Sequence, residues 1–151
     1  MERVVILHNI RSAHNVGSIF RTADGAGVGT IYLIGHTPTP VDRFGRPQKE
    51  IAKTSLGASE FIPWEHHEAV EPVIKNLQEE GVYVVAVEQH EDAIDYKKFK
   101  TDKQVAYIFG NEVGGVPDAV CARCDAVIEI PMHGKKESLN VSVSAGVVLF
   151  H

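Results

Sequence analysis

Cysteine is nearly absent from this 151-residue chain: Cys121 and Cys124, spaced C-x-x-C, are the only two. A structural zinc site wants four ligands and no second pair completes this one, so no metal is expected and the pair reads as reduced thiols. Long apolar runs are missing as well. No stretch approaches the ~20 residues of a membrane span, and the N-terminus lacks the basic-then-apolar layout of a signal peptide. The expectation is a cytoplasmic protein without membrane contact, in which the Asn140-Val141-Ser142 glycosylation pattern carries little meaning. Positive charge is in short supply: 15 Lys and Arg face 20 Asp and Glu, a net charge of -5. That balance argues against a protein that grips a polyanion by bulk electrostatics. Internal repeats and low-complexity tracts are absent too, and the length suits one domain over residues 1–151.

What is present is unevenly distributed. Residues 1–53 hold seven Lys and Arg against four acids, a net of +3, and the remainder nets -8. A polyanion can therefore approach one end of an acidic molecule, with phosphate contacts confined to that end. Five β-rich runs recur: "RVVIL" (3–7), "TIYLIG" (30–35), "VYVVAV" (82–87), "VAYIFG" (105–110) and "AVIEI" (126–130). Several are apolar throughout instead of alternating, which suits strands covered on both faces. Helical patterns fall between them, at 15–26, about 67–80, 117–124 and 139–150. Ser12 or Asn15 can cap the first, Gly81 fits the stop of the second, and Pro117 fits the first turn of the third. Strand and helix alternate, so the fold class is α/β with a mainly parallel sheet and helices on both faces. The segment 36–50 is left as a long loop with three prolines and three basic residues. The last helical pattern, "LNVSVSAGVVLF", has no polar face, which predicts burial on several sides or an oligomer interface.

Ligands of open α/β sheets sit beyond the carboxyl ends of the strands. Three loops fall there: "HNIRSAHNVG" (8–17), "FGNEVGGVP" (109–117) and "IPMHGKKESLN" (130–140). The second is neither a dinucleotide fingerprint nor a Walker loop, because G-x-x-x-G-G has the wrong spacing for either. Glu112 within it is a candidate cap for the helix beginning near Pro117. In the third, Ser138 or Asn140 opens the final helix, whose free N–H groups favour polar ligand atoms. On the first helix, Val16, Ile19, Phe20 and Ala23 share one face and Arg21 lies opposite. Gly17 and Ser18, its i−4 and i−3 neighbours, neither pair with its charge nor cover its stem. A solvated surface arginine and a substrate-facing one both fit that pattern.

These loops, in this order, resemble the SpoU (TrmH-like) ribose 2′-O-methyltransferases of the SPOUT superfamily. "NVGSIFRTADGAGV" is similar to the first family motif, "IFGNEVGGV" to the second and "IPMHGKKESLNVSVSAG" to the third. "KTSLGASE" (53–60) resembles the stretch common between the first two. The resemblance implies a C-terminal trefoil knot, which ordinary topology rules would never propose. It implies S-adenosylmethionine as cofactor, held in the knot by Val87, Gly110, Asn111, Glu112, Gly115, Ile130, Met132, Ser138 and Leu139. The glycines would leave room there for the adenosine. It also implies a homodimer in which Arg21 reaches toward the cofactor of the partner subunit.

As catalytic residues the resemblance implies Arg21 with Asn15, Glu112, Ser138 and Asn140. A guanidinium with a pKa above ~12 is a poor proton acceptor, so its expected role is to orient the ribose hydroxyl and a neighbouring phosphate. The expected substrate is tRNA or rRNA, contacted by Arg11, His14, Arg21, Arg43, Arg46 and Lys135. The rival is a knotted domain that binds S-adenosylmethionine or RNA without transferring a methyl group. An unrelated dehydrogenase is disfavoured by the missing G-x-G-x-x-G after the first strand.

Overall fold

A computed structural model describes residues 2–151 of the chain. Its strands are β1 (Val4–His8), β2 (Thr30–Ile34), β3 (Trp64–His67), β4 (Tyr83–Val87), β5 (Ile94–Asp95), β6 (Val105–Phe109) and β7 (Ala126–Glu129). The helices are α1 (Ala13–Ala26), α2 (Lys49–Ser55), α3 (Ala58–Phe61), α4 (Val70–Glu79), α5 (Asp118–Cys121) and α6 (Val141–Leu149). The strands form one sheet in the order β3-β2-β1-β6-β4-β7-β5, and every pairing in it is parallel. All carboxyl ends therefore open on the same side of the molecule, with β1 and β6 side by side near the middle.

Helices cover both faces, and alternate strand residues divide between them, as the pleat requires. Val5 and Leu7 of β1 and Val105 and Phe109 of β6 pack on α1, α2 and α6, through Ile19, Phe20, Ile51, Ala145 and Leu149. Val4, Ile6, Ala106 and Ile108 face the other way, onto Val73, Ile74 and Leu77 of α4 and Val120 of α5. The apolar character of these runs thus reflects two buried faces, as expected for a parallel sheet.

The caps follow from local chemistry. Ser12 caps α1, its Oγ accepting the N–H of Asn15 at 3.1 Å. Gly27 ends the same helix in the left-handed region at φ +76°, where a glycine carries no steric penalty. Arg3 donates to the carbonyls of Ala26 and Leu149, so a single guanidinium ties together the last turns of α1 and α6. Cations are favoured at such carbonyl-rich ends.

Four elements escape the sequence reading. Strands β3 (WEHH) and β5 (ID) are short and polar because each forms an edge of the sheet. The α2 and α3 segments are too short to show a helical period, and α2 begins at Lys49, inside the expected loop. What remains of that loop is organised: Val41 pairs antiparallel with Pro47, forming a small hairpin. The final helix is buried on one side only. Val141, Ala145, Val148 and Leu149 are enclosed, whereas Val143 and Phe150 are exposed.

Candidate active site

Glu112 joins two of the three loops. Its Oε1 accepts the N–H of Arg11 at 2.9 Å, and its Oε2 accepts the N–H of Ser12 at 2.9 Å and the Nδ2 of Asn15 at 3.2 Å. The expected cap on the following helix is not made, since Pro117 opens α5 without a side-chain bond. The carboxylate instead clamps the β6–α5 turn onto the start of α1. Desolvation raises its pKa, but the N–H groups of Arg11 and Ser12, its own N–H and the Asn15 amide together outweigh that and hold it below the ordinary 4.5. Donors to the charged form have that effect.

The turn itself is fixed by Asn111. Its Oδ1 accepts the N–H groups of Val113 (2.8 Å) and Gly114 (3.0 Å), and its Nδ2 donates to the Asn9 carbonyl at 2.7 Å. Gly110 is needed because the turn folds back on itself: a Cβ there would lie 2.3 Å from the carbonyl carbon of Gly115. Gly115 sits at φ +67°, and a Cβ on it would meet the Glu88 carboxylate at 2.0 Å. That carboxylate accepts the N–H of Val116 at 2.7 Å and the N–H of Gln89 at 2.9 Å. The requirement for glycine at both positions therefore comes from the protein's own backbone and Glu88.

Beside this turn lies a cleft of about 320 Å³, within the range of cofactor sites. Val87, Gly110, Asn111, Glu112, Gly115 and Ser138 line it, six of the nine residues expected to hold a cofactor. The other three stand outside its lining. Ile130 packs on the core while its carbonyl accepts from Gln89 Nε2 at 2.8 Å, Met132 is half-buried and Leu139 is exposed. Asn140 is the N-cap of α6, accepting from the N–H of Ser142 at 2.9 Å. Across the turn, a second cleft of about 570 Å³ is walled by His8, Arg11 and His36. His8 is buried and, among the described residues, its Nδ1 has no partner. Burial lowers its pKa, against an upward pull from Glu71. A further cavity of about 790 Å³ lies near Arg3, Tyr107 and Phe150, toward the amino ends of β1 and β6; it is lined by Gly25 and Ala26 of the first motif but by none of the candidate site residues.

The profile of the SpoU rRNA Methylase family matches residues 2–150. The chain belongs to the SpoU family. A tRNA (guanosine(18)-2′-O)-methyltransferase of Thermus thermophilus is 36% identical over 146 residues, 97% of this chain and 71% of that protein. A Staphylococcus aureus protein assigned to the TrmH family of tRNA/rRNA methyltransferases is 33% identical over 150 residues. An AdoMet-bound rRNA methyltransferase from Sinorhizobium meliloti superposes with a TM-score of 0.86 at 30% identity. This SpoU chain is covered almost completely in each case, yet it spans 58% of the Staphylococcus protein and 54% of the Sinorhizobium one.

Seen as a SpoU site, the arrangement brings Asn15 and Glu112 into direct contact and sets Ser138 on the same cleft. It does not bring Arg21 there. Arg21 is exposed on α1, six residues and so about 9 Å along the helix from Asn15. The bare surface beside it has a structural cause in part: Gly17 is buried, and a Cβ there would meet Thr54 Oγ1 and the Ile51 carbonyl of α2. Arg11, His14, Arg43, Arg46 and Lys135, the other expected RNA contacts, are all exposed. The two thiols are protonated: burial raises Cys121 and pushes Cys124 up to about 12.

Two residues at this site were not legible beforehand. Glu88 was missed because the segment after β4 carries no glycine or basic signal, although it too follows a strand end. Asn9 holds a left-handed backbone (φ +53°), and its Oδ1 accepts the N–H of His36 at 2.9 Å. Asparagine tolerates that region better than most residues, which was the one available clue.

Proposed function

We propose that this chain is an S-adenosylmethionine-dependent methyltransferase acting on a ribose 2′-hydroxyl of tRNA or rRNA, and that it works as a homodimer in the cytoplasm. The observation that carries this reading is the Glu112 clamp, which holds Asn15 of the first motif against the second motif at the mouth of the cleft. The AdoMet-bound Sinorhizobium relative supports the cofactor, and the 2′-O-methyltransferase of Thermus supports the ribose as acceptor. The cleft fits such a group. Val87 and Phe109 offer an apolar wall for an adenine, while Glu88, Glu112 and Glu137 suit a cationic sulfonium and ammonium. We also propose that the segment after β7 threads through a trefoil knot. Ser138, Val141 and Ser144 line the same cleft as the Gly110–Gly115 turn, which supports that path. A crystal structure traced through residues 105–150 tests it.

Bound S-adenosylmethionine supplies a methyl group already activated on sulfur. The chain's own residues then position the acceptor. Arg21 orients the ribose hydroxyl and an adjacent phosphate and favours the developing alkoxide electrostatically. Because Arg21 is exposed on α1 and does not line its own cleft, we assign it to the cleft of the partner subunit. Glu112 stays ionised at neutral pH and keeps the Asn15 amide in place, while Ser138 and Asn140 fix the mouth of the cleft.

The test separates transfer from binding. Arg21→Ala is expected to lower methyl transfer about 10²- to 10³-fold, the usual loss on removing one donor to a developing oxyanion. Affinity for S-adenosylhomocysteine, measured by calorimetry, is expected to stay unchanged. A parallel fall in cofactor affinity would overturn the role given to Arg21. Labelled bulk RNA digested to nucleosides must yield a 2′-O-methyl product; a base-methylated nucleoside would overturn the reaction assigned here.

A further inference from the structure

The hairpin at 41–47 carries Arg43 and Arg46, two of the expected RNA contacts, together with an aromatic ring that the methyl-transfer reading does not use. Asp42 organises it. Its Oδ1 accepts the N–H groups of Phe44 (2.8 Å) and Arg46 (3.0 Å), and its Oδ2 accepts the Nε of Arg46 at 2.8 Å. The N–H of Asp42 donates back to the Arg46 carbonyl, and the N–H of Gly45 to the Asp42 carbonyl, each at 2.9 Å. Gly45 takes φ +80° to close the turn. Five hydrogen bonds thus fix a five-residue tip.

That rigid tip presents Phe44 to solvent at 67% exposure. The Arg43 and Arg46 guanidinium carbons lie 4.9 Å and 5.0 Å from the centroid of its ring. Burial of a phenylalanine ring is favourable, and the tip forgoes it. A held aromatic ring flanked by guanidinium planes is the surface on which an unstacked nucleobase lies flat, with cations at hand for its phosphate. A paired helix hides its base faces and could not use it. The position agrees: the hairpin leaves the carboxyl end of β2, and α2 behind it packs on α1, with Thr54 Oγ1 donating to the His14 carbonyl at 3.1 Å. It therefore rises from the same end of the sheet as Asn15 and Glu112, but outside their cleft.

We propose that Phe44, with Arg43 and Arg46, is a stacking platform for an unpaired nucleotide of the RNA substrate, distinct from the nucleotide that is methylated. The inference rests on the RNA-directed reading above. It is tested on the full chain with bound S-adenosylhomocysteine, using a fluorescent mixed-sequence single-stranded 12-mer RNA and the same strand annealed to its complement. Phe44→Ala is expected to weaken single-strand binding roughly 5- to 150-fold, the loss for one stacked base. The slope of log affinity against log salt is expected to stay the same, since no phosphate contact is removed. Phe44→Leu, which keeps apolar bulk without a π-face, falls with the alanine variant; Phe44→Trp retains binding, and duplex affinity does not change. Unaltered single-strand affinity in Phe44→Ala, an equal loss on the duplex, or a change in oligomeric state would each overturn the platform. Wild-type protein that binds S-adenosylhomocysteine but neither RNA would overturn the RNA-directed reading and the platform together. Wild-type binding that Phe44→Ala leaves intact overturns the platform alone.

Discussion

At the scale of single residues, the site depends on polar atoms that have no freedom left. Glu112 accepts from three donors on another loop, and those donors define its ionisation. Its pKa is depressed, so its stabilising contribution is complete above the ordinary glutamate value and is lost as pH falls through the lower, folded-state value. Titration followed by carboxyl ¹³C NMR is therefore expected to give a midpoint below 4.5, with no Glu112 transition between pH 5 and 8. A midpoint above 4.5 would mean that the clamp does not form in solution. The sequence showed Glu112 as a site residue but paired it with the wrong helix. Capping preferences look a few residues along the chain, whereas this carboxylate bonds a segment about a hundred residues away.

At the scale of elements, what could be read was set by length and burial. The five strands with two covered faces announced themselves as apolar runs, and their alternation with helices led to the α/β class. Edge strands β3 and β5 did not, because a strand with little apolar cover needs little apolar sequence. Helix α2 is the more consequential omission. It packs so closely on α1 that Gly17 would place a Cβ 1.8 Å from Thr54 Oγ1 and 2.8 Å from the Ile51 carbonyl. On helix propensity alone, Gly17→Ala gains up to about 1 kcal/mol. Overpacking costs about 1–3 kcal/mol and wins here, because one of the two contacts is backbone that cannot rotate away. The variant is expected to melt several degrees lower by calorimetry, and Gly17→Ala/Thr54→Ala is expected to recover only part of the loss. An unchanged melting temperature would show that α1 and α2 are not this close.

At the scale of the whole molecule, composition and periodicity alone do not reach the proposed knot, and they offer an oligomer interface only as one of two readings of the apolar final helix. A knot leaves no signature in residue frequencies, and it entered only through the likeness of three motifs to a known family. The structure adds one physical argument for the dimer. Helix α6 buries Val141, Ala145, Val148 and Leu149 but leaves Val143 50% and Phe150 64% exposed. Val143→Asp is expected to shift the protein from dimer to monomer in sedimentation velocity. It should abolish transfer as well, because Arg21 then has no neighbouring cleft to serve. A monomeric wild type, or a Val143→Asp dimer, would remove the basis for a shared site.

The guanidinium of Arg3, seated on the closing carbonyls of α1 and α6, marks a division of labour along the strand axis. This tie lies at the pole opposite the loops that hold Asn15 and Glu112. Substitutions in the loops at the carboxyl ends of the strands can then accumulate while the far pole keeps the scaffold standing.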